Sequence, residues 1–119
     1  MNEMRSERRN LCSDIVELFW NDRLGWPHRA KANLEDISTA GACVQTDAKI
    51  PVNSEIAMRL REAGFPGKVR YCTLVGGSYF VGVEFAEGSG WSPGNPDPKH
   101  ILRLSVLEED TAVMRAPRM

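Results

Sequence analysis

The 119-residue chain is predicted to be mainly β, a six-stranded antiparallel β-barrel of the split-barrel kind followed by a C-terminal α-helix. Three observations lead there. About six short runs are rich in β-branched and aromatic residues or alternate apolar with polar at period two. Clusters of Gly, Pro, Asn and Asp interrupt those runs at close spacing, as reversals between antiparallel neighbours require. Only one stretch, near the C-terminus, carries a helical apolar stripe, so a single helix has to pack on an otherwise all-β body.

Taken in order, residues 1–10 show no periodicity and carry Arg5, Arg8 and Arg9 beside Glu3 and Glu7, which reads as a flexible arm. The run Leu-Cys-Ser-Asp-Ile-Val-Glu-Leu-Phe-Trp at 11–20 reads as a strand with Cys12, Val16, Leu18 and Trp20 on one face, although its composition alone also admits a helix. The turn cluster at 21–27, with Gly25 and Pro27, favours a hairpin into the next strand. Residues 28–35 alternate cleanly, with Ala30, Ala32 and Leu34 against Arg29, Lys31, Asn33 and Glu35. A short apolar strand at 42–46 is followed by a loop at 47–54. Residues 55–61 alternate again, with Ile56, Met58 and Leu60 inward. Gly64, Pro66 and Gly67 are expected to break the chain at 62–67. Two last strands, 68–74 and 78–85, flank Gly76-Gly77, with Tyr79, Val81, Val83 and Phe85 on one face. The barrel is thus assigned to 11–86 and a loop to 87–96. Asp97 as N-cap and Pro98 at the first helical position predict a helix over 97–110, leaving 111–119 as a frayed tail.

Bulk properties narrow the function. The chain fits one domain, its composition is 42% apolar and 26% charged, and its net charge is −1. Nothing in that balance suggests a protein that coats nucleic acid or an anionic membrane. The N-terminus lacks the apolar core of a signal peptide, and no apolar run approaches a membrane span, so a cytoplasmic protein without membrane insertion is expected. Cys12, Cys43 and Cys72 are odd in number, widely spaced and set in apolar runs, which suits buried free thiols. His28 and His100 stand singly, without partners at metal spacing, and are expected at the surface. Trp26 and Trp91 fall in loops, as partner anchors or as lids on the barrel. No nucleophile–base pair, phosphate loop or metal cluster is present, so an enzyme is not expected, nor a cofactor.

The informative stretch is residues 34–44, Leu-Glu-Asp-Ile-Ser-Thr-Ala-Gly-Ala-Cys-Val. Apolar residues flank Asp36, Ser38 and Gly41, the pattern of two strands joined by a tight corner. Asp and Ser suit corners through bonds to nearby backbone, and Gly accepts a positive φ. By itself this is a turn without a ligand. Its significance comes from Arg5 and Arg9, four apart in the arm.

An R-x-x-x-R pair, a strand hairpin and then D-x-S-x-x-G together resemble the PilZ domain of bacteria. Gly67-Lys68-Val69-Arg70 and the run Gly77-Ser78-Tyr79-Phe80-Val81-Gly82-Val83-Glu84-Phe85 extend the resemblance to that family's final strand pair, so it covers about residues 5–86. The resemblance implies a six-stranded barrel that binds cyclic di-GMP, a bacterial second messenger, through Arg5, Arg9, Asp36, Ser38 and Gly41. The residue types suit that ligand. Arginine forks take phosphate bidentately, bond a guanine edge or stack on its face. An Asp carboxylate accepts from guanine N–H donors, Ser adds a bond beside it, and Gly permits close approach.

The implied role is an adaptor: the nucleotide orders the arm over the barrel and alters recognition of a protein partner. Two alternatives stand beside it. One is a PilZ-like interaction module that does not bind nucleotide. The other is a small barrel binding single-stranded nucleic acid through its Arg arm and surface aromatics, against which the net charge counts.

Overall fold

The period-two patterns become seven antiparallel strands in the computed structural model, which describes residues 9–103. They are β1 (Asn10–Asn21), β2 (Pro27–Ile37), β3 (Gly41–Thr46), β4 (Glu55–Leu60), β5 (Ala63–Val75), β6 (Ser78–Phe85) and β7 (His100–Arg103). The ladder runs β2-β3-β6-β5-β4-β1, and a further β1–β2 pairing closes it into a six-stranded barrel. Inward positions follow the expected alternation. Val16, Leu18 and Trp20 of β1, Ala32 and Leu34 of β2, Ile56, Met58 and Leu60 of β4, and Val81, Val83 and Phe85 of β6 all bury into one core. The hairpin between β1 and β2 is tied by Asp22, whose carboxylate accepts from the Leu24 and Trp26 amides at 2.9 Å each. Gly25 there sits at φ 87°. The hydrogen bond from His28 and those backbone donors hold the Asp22 carboxyl below its usual range.

Two sequence expectations need correction. Residues 62–67 do not interrupt the chain, because β5 begins at Ala63 and pairs Gly64, Pro66 and Gly67 with β4. Arg61, at φ 56°, takes the reversal instead. Counting from the closing Leu60/Ala63 pair, Pro66 opposite Ala57 falls at a non-hydrogen-bonded place, where its missing N–H costs the β4 ladder nothing. Gly67 is required by proximity, since a Cβ there would lie 2.2 Å from the Glu84 carbonyl oxygen.

The second correction concerns the helix expected over 97–110. No helix occurs among the described residues, and in its described part His100–Arg103 forms β7 against β1. Residues 104–110, and the tail beyond, lie outside the described residues. The reason for the strand is tertiary. Strand β4 covers only the second half of β1, from Glu17 to Trp20, so the edge at Asn10–Ser13 is open for β7. An unsatisfied strand edge outweighs a local preference of a few tenths of a kcal/mol per residue. The capping groups are also used otherwise. Asp97 Oδ1 accepts from the Gly94 amide at 2.8 Å, and the Lys99 amide donates to Asp14 Oδ2 at 2.7 Å. Arg61 completes this staple, pairing with Asp14 at 3.0 Å and donating to the Asp97 carbonyl at 2.8 Å.

The segment joining β6 to β7 sends one side chain into the core. Trp91 is 1% exposed and donates its Nε1–H to the Pro96 carbonyl at 2.6 Å, so of the two loop tryptophans it is the lid. Trp26, at the β1–β2 tip, is 67% exposed. All three cysteines are free, Cys43 buried and the others half-buried. Burial raises the Cys12 thiol to about 12, with Asp36, Glu35 and Asp14 adding to the effect, so it stays protonated and inert at neutral pH. No helix among the described residues is long and apolar enough to cross a membrane.

Candidate functional site

Strand β2 would hide Asp36 if it alternated strictly, because Leu34 and Asp36 would share the inward face. A bulge prevents this. Leu34 pairs with Val44 but Asp36 pairs with Cys43, so Glu35 is an extra residue in β2. The bulge rephases the strand, leaving Leu34 and Ile37 buried at 0% exposure and turning Asp36 outward. Re-aiming a side chain is what bulges beside functional sites commonly do.

Arg9, the first residue described, stands just before β1, with its side chain half exposed. Its Nη2 lies 3.7 Å from Asp36 Oδ1. Strand pairing brings them together: Asn10 opposes Ile37 and Leu11 opposes Asp36. Desolvation raises the Asp36 carboxyl above its ordinary 3.8, opposed by the Arg9 charge and a hydrogen bond from the Cys43 amide. Arg5 lies outside the described residues.

The direction of that shift gives a pH prediction. Below the ordinary value the carboxyl is protonated whether the chain is folded or not, and it adds nothing to the pH dependence. As pH rises through the ordinary and then the raised value, the folded chain holds its proton longer. Stability therefore falls across that window and the loss is complete above it. Asp36→Asn is expected to flatten this part of the curve and to leave the protein at least as stable at neutral pH. Thermal unfolding from acid to neutral pH measures it.

Ser38 and Gly41 build the corner from within. The Ser38 amide donates to the Gly41 carbonyl at 2.8 Å, while its Oγ accepts from the Ala40 and Gly41 amides at 3.1 and 3.3 Å. Ser38 is 8% exposed, so its hydroxyl acts first on the turn that presents Asp36. The need for Gly at 41 differs from the expected positive φ. A Cβ there would stand 2.2 Å from the Val83 carbonyl oxygen, so the corner can lie on β6 only without a side chain. Gly41→Ala is expected to cost about 1–3 kcal/mol by forcing β3 and β6 apart, measured by urea unfolding. Gly90 backs the same corner, with its Cβ position 1.9 Å from the Thr39 carbonyl oxygen.

Register extends the site to residues that sequence reasoning missed. Asp36 opposes Cys43, Cys43 opposes Gly82, and Gly82 opposes Tyr71, one row across β2, β3, β6 and β5. A second bulge, at Arg70 between Val69 and Tyr71, turns Tyr71 outward while Val69 remains at 0% exposure. The ring lies over Gly82, where a Cβ would come within 2.1 Å of Tyr71 Cε2. The Tyr71 hydroxyl donates to the Cys43 sulfur, and burial, the largest cause for each, pushes both groups upward in pKa. Cys43 is 8% exposed and lies outside the main hydrophobic cluster. The glycine in Phe80-Val81-Gly82-Val83 was the available signal, since a strand glycine often marks a close approach.

The outcome is an arginine, a desolvated carboxylate and an aromatic ring on one outer face. That set can take an anion, a base edge with N–H donors and a flat ring. A cleft of about 570 Å³ opens beside the same corner, lined in part by Thr39, Ala40, Lys68 and Glu87, but neither Arg9 nor Asp36 lines it. Among the described residues no group of three or more His, Cys, Asp or Glu is placed to hold a metal ion.

No curated protein matches the chain. The family profile of the PilZ domain matches residues 5–90, a stretch that runs from the arm through the corner to the end of the barrel. The chain therefore belongs to the PilZ family, whose members are in general cyclic di-GMP-binding adaptor modules.

Proposed function

We propose that this protein is a cyclic di-GMP receptor and adaptor, with Arg5, Arg9, Asp36, Ser38 and Gly41 forming the nucleotide site. The observation that carries this reading is the outward Asp36 with Arg9 3.7 Å away. That pair is partly exposed, and such a pair contributes only about 0–1 kcal/mol. Arg9 is thus released cheaply to a phosphate or a guanine edge, and Asp36 is left to accept from guanine N–H donors. Ser38 and Gly41 serve by shaping the corner, and the Tyr71 ring supplies a stacking face along the same row.

Ordering of the arm is part of the same proposal, and the place of Arg9 supports it. Arg9 immediately precedes β1, so a ligand gripping Arg5 and Arg9 together fixes the chain between them and changes the surface presented to a protein partner. Titration of ¹⁵N-labelled protein with cyclic di-GMP tests the reading residue by residue. The amides of Arg9, Asp36, Cys43, Tyr71 and Gly82 are expected to shift and those of residues 1–8 to gain protection from exchange, while the Trp26 hairpin tip stays unmoved. Unchanged protection of residues 1–8 at saturation removes the arm from the mechanism.

A further inference from the structure

Several strand edges lack a backbone partner among the described residues, and two of them, both on barrel strands, are treated differently. The first is on β2, which pairs with β3 only from Asn33 to Ile37. Its open portion carries Pro27, Arg29 and Lys31, the residue types that block strand addition. The second is on β5, which pairs with β4 only from Ala63 to Lys68, while its pairing with β6 continues to Val75. The loop before β4 satisfies Val69, through Ser54 and Asn53, and goes no further. Beyond it the edge reads Tyr-Cys-Thr-Leu-Val at 71–75, with no charge and no proline. Tyr71, Leu74 and Val75 are 42%, 61% and 51% exposed. An open, uncharged, β-branched edge of this kind is a template for another strand.

The direction of its hydrogen-bonding groups can be worked out. Gly76 and Gly77 have φ of 58° and 90°, a two-residue turn of the primed type, so Val75 and Ser78 are the closing hydrogen-bonded pair. Alternation then points the N–H and C=O of Thr73 and Val75 at β6, and those of Cys72 and Leu74 at the open edge.

We propose that β5 is a homodimerisation edge, two copies pairing antiparallel through residues 71–75 about a two-fold axis at Thr73. A second copy fits this edge in three respects. Cys72 opposes Leu74 of the other copy on both sides of the axis, which makes four backbone hydrogen bonds from the four open residues. Tyr71 meets Val75 and Thr73 meets Thr73, both favourable cross-strand pairs. Arg70, paired with Glu84 at 2.8 Å, comes opposite Gly76 and meets no like charge. The interface is isologous and closes at two copies. A contact of this length buries little area, so the dimer is weak and depends on concentration.

Sedimentation velocity of the full chain from micromolar to millimolar concentration, with two variants at the axis, tests the proposal. The wild-type protein is expected to shift from monomer to dimer. Thr73→Lys, which sets like charges face to face on an exposed position, is expected to stay monomeric with unchanged thermal unfolding. Thr73→Cys is expected to form a disulfide-linked dimer on mild oxidation, because a non-hydrogen-bonded antiparallel pair has Cα atoms about 4.5 Å apart. A wild-type protein monomeric throughout the range overturns the proposal. So does a dimer that persists undiminished in Thr73→Lys, since its interface then lies elsewhere.

Discussion

Asp36→Ala is expected to weaken cyclic di-GMP binding by about 2–5 kcal/mol, or about 30- to 4,000-fold in Kd, without loss of stability. The combination is what makes the result informative. Asp36 is 18% exposed at its side chain, and burial raises its carboxyl in pKa, so in the free protein its charge is a cost to the fold. Removing a residue that opposes folding leaves stability equal or higher, which separates a lost ligand contact from a damaged barrel. Arg9→Ala is expected to lose affinity over a similar range, with stability changed by less than about 1 kcal/mol because its side chain is half exposed. The two effects are expected to be less than additive if both residues hold the same guanine. Calorimetric titration together with thermal unfolding of each variant checks all of this.

Trp91→Ala is expected to destabilise the protein by about 3–5 kcal/mol. Trp91 lies one residue beyond the family match, in a stretch whose composition reads as loop. Yet it is 1% exposed and packs into the barrel core, with its indole N–H satisfied by the Pro96 carbonyl. Truncation leaves a large void and an unpaired Pro96 carbonyl. The effect reaches further, because the chain after Trp91 passes through the Asp14–Arg61–Asp97 staple into β7, which pairs along the first residues of β1 beside Arg9. Urea unfolding should therefore show a cooperative loss of stability in the variant. A change below about 1 kcal/mol would mean that the segment is an appendage to the barrel.

The contrast between these residues explains how much of the protein was legible in its sequence. Strand interiors such as 28–35 and 78–85 were readable because one face is buried and period-two alternation records it. The corner was readable because Asp, Ser and Gly in that order are turn chemistry as well as ligand chemistry. What sequence could not supply depends on pairing. The Glu35 bulge that turns Asp36 outward breaks the alternation by one residue, and only the partner strand reveals it. Tyr71 joins the site solely through its register with Gly82 and Cys43. Pro66 reads as a breaker until its place in the ladder is known. Asp97-Pro98 reads as a helix start until the open edge of β1 is seen to claim the residues that follow. In each case a local preference was settled by a group far away in the chain.

The central claim, that Arg9 and Asp36 form a nucleotide site, is tested most directly by isothermal titration of cyclic di-GMP into the 119-residue chain. Saturable binding that is lost in Asp36→Ala and Arg9→Ala, with both variants folded, is the predicted result. Absence of heat from a wild-type protein with a cooperative unfolding transition, or affinity unchanged in those variants, would contradict it.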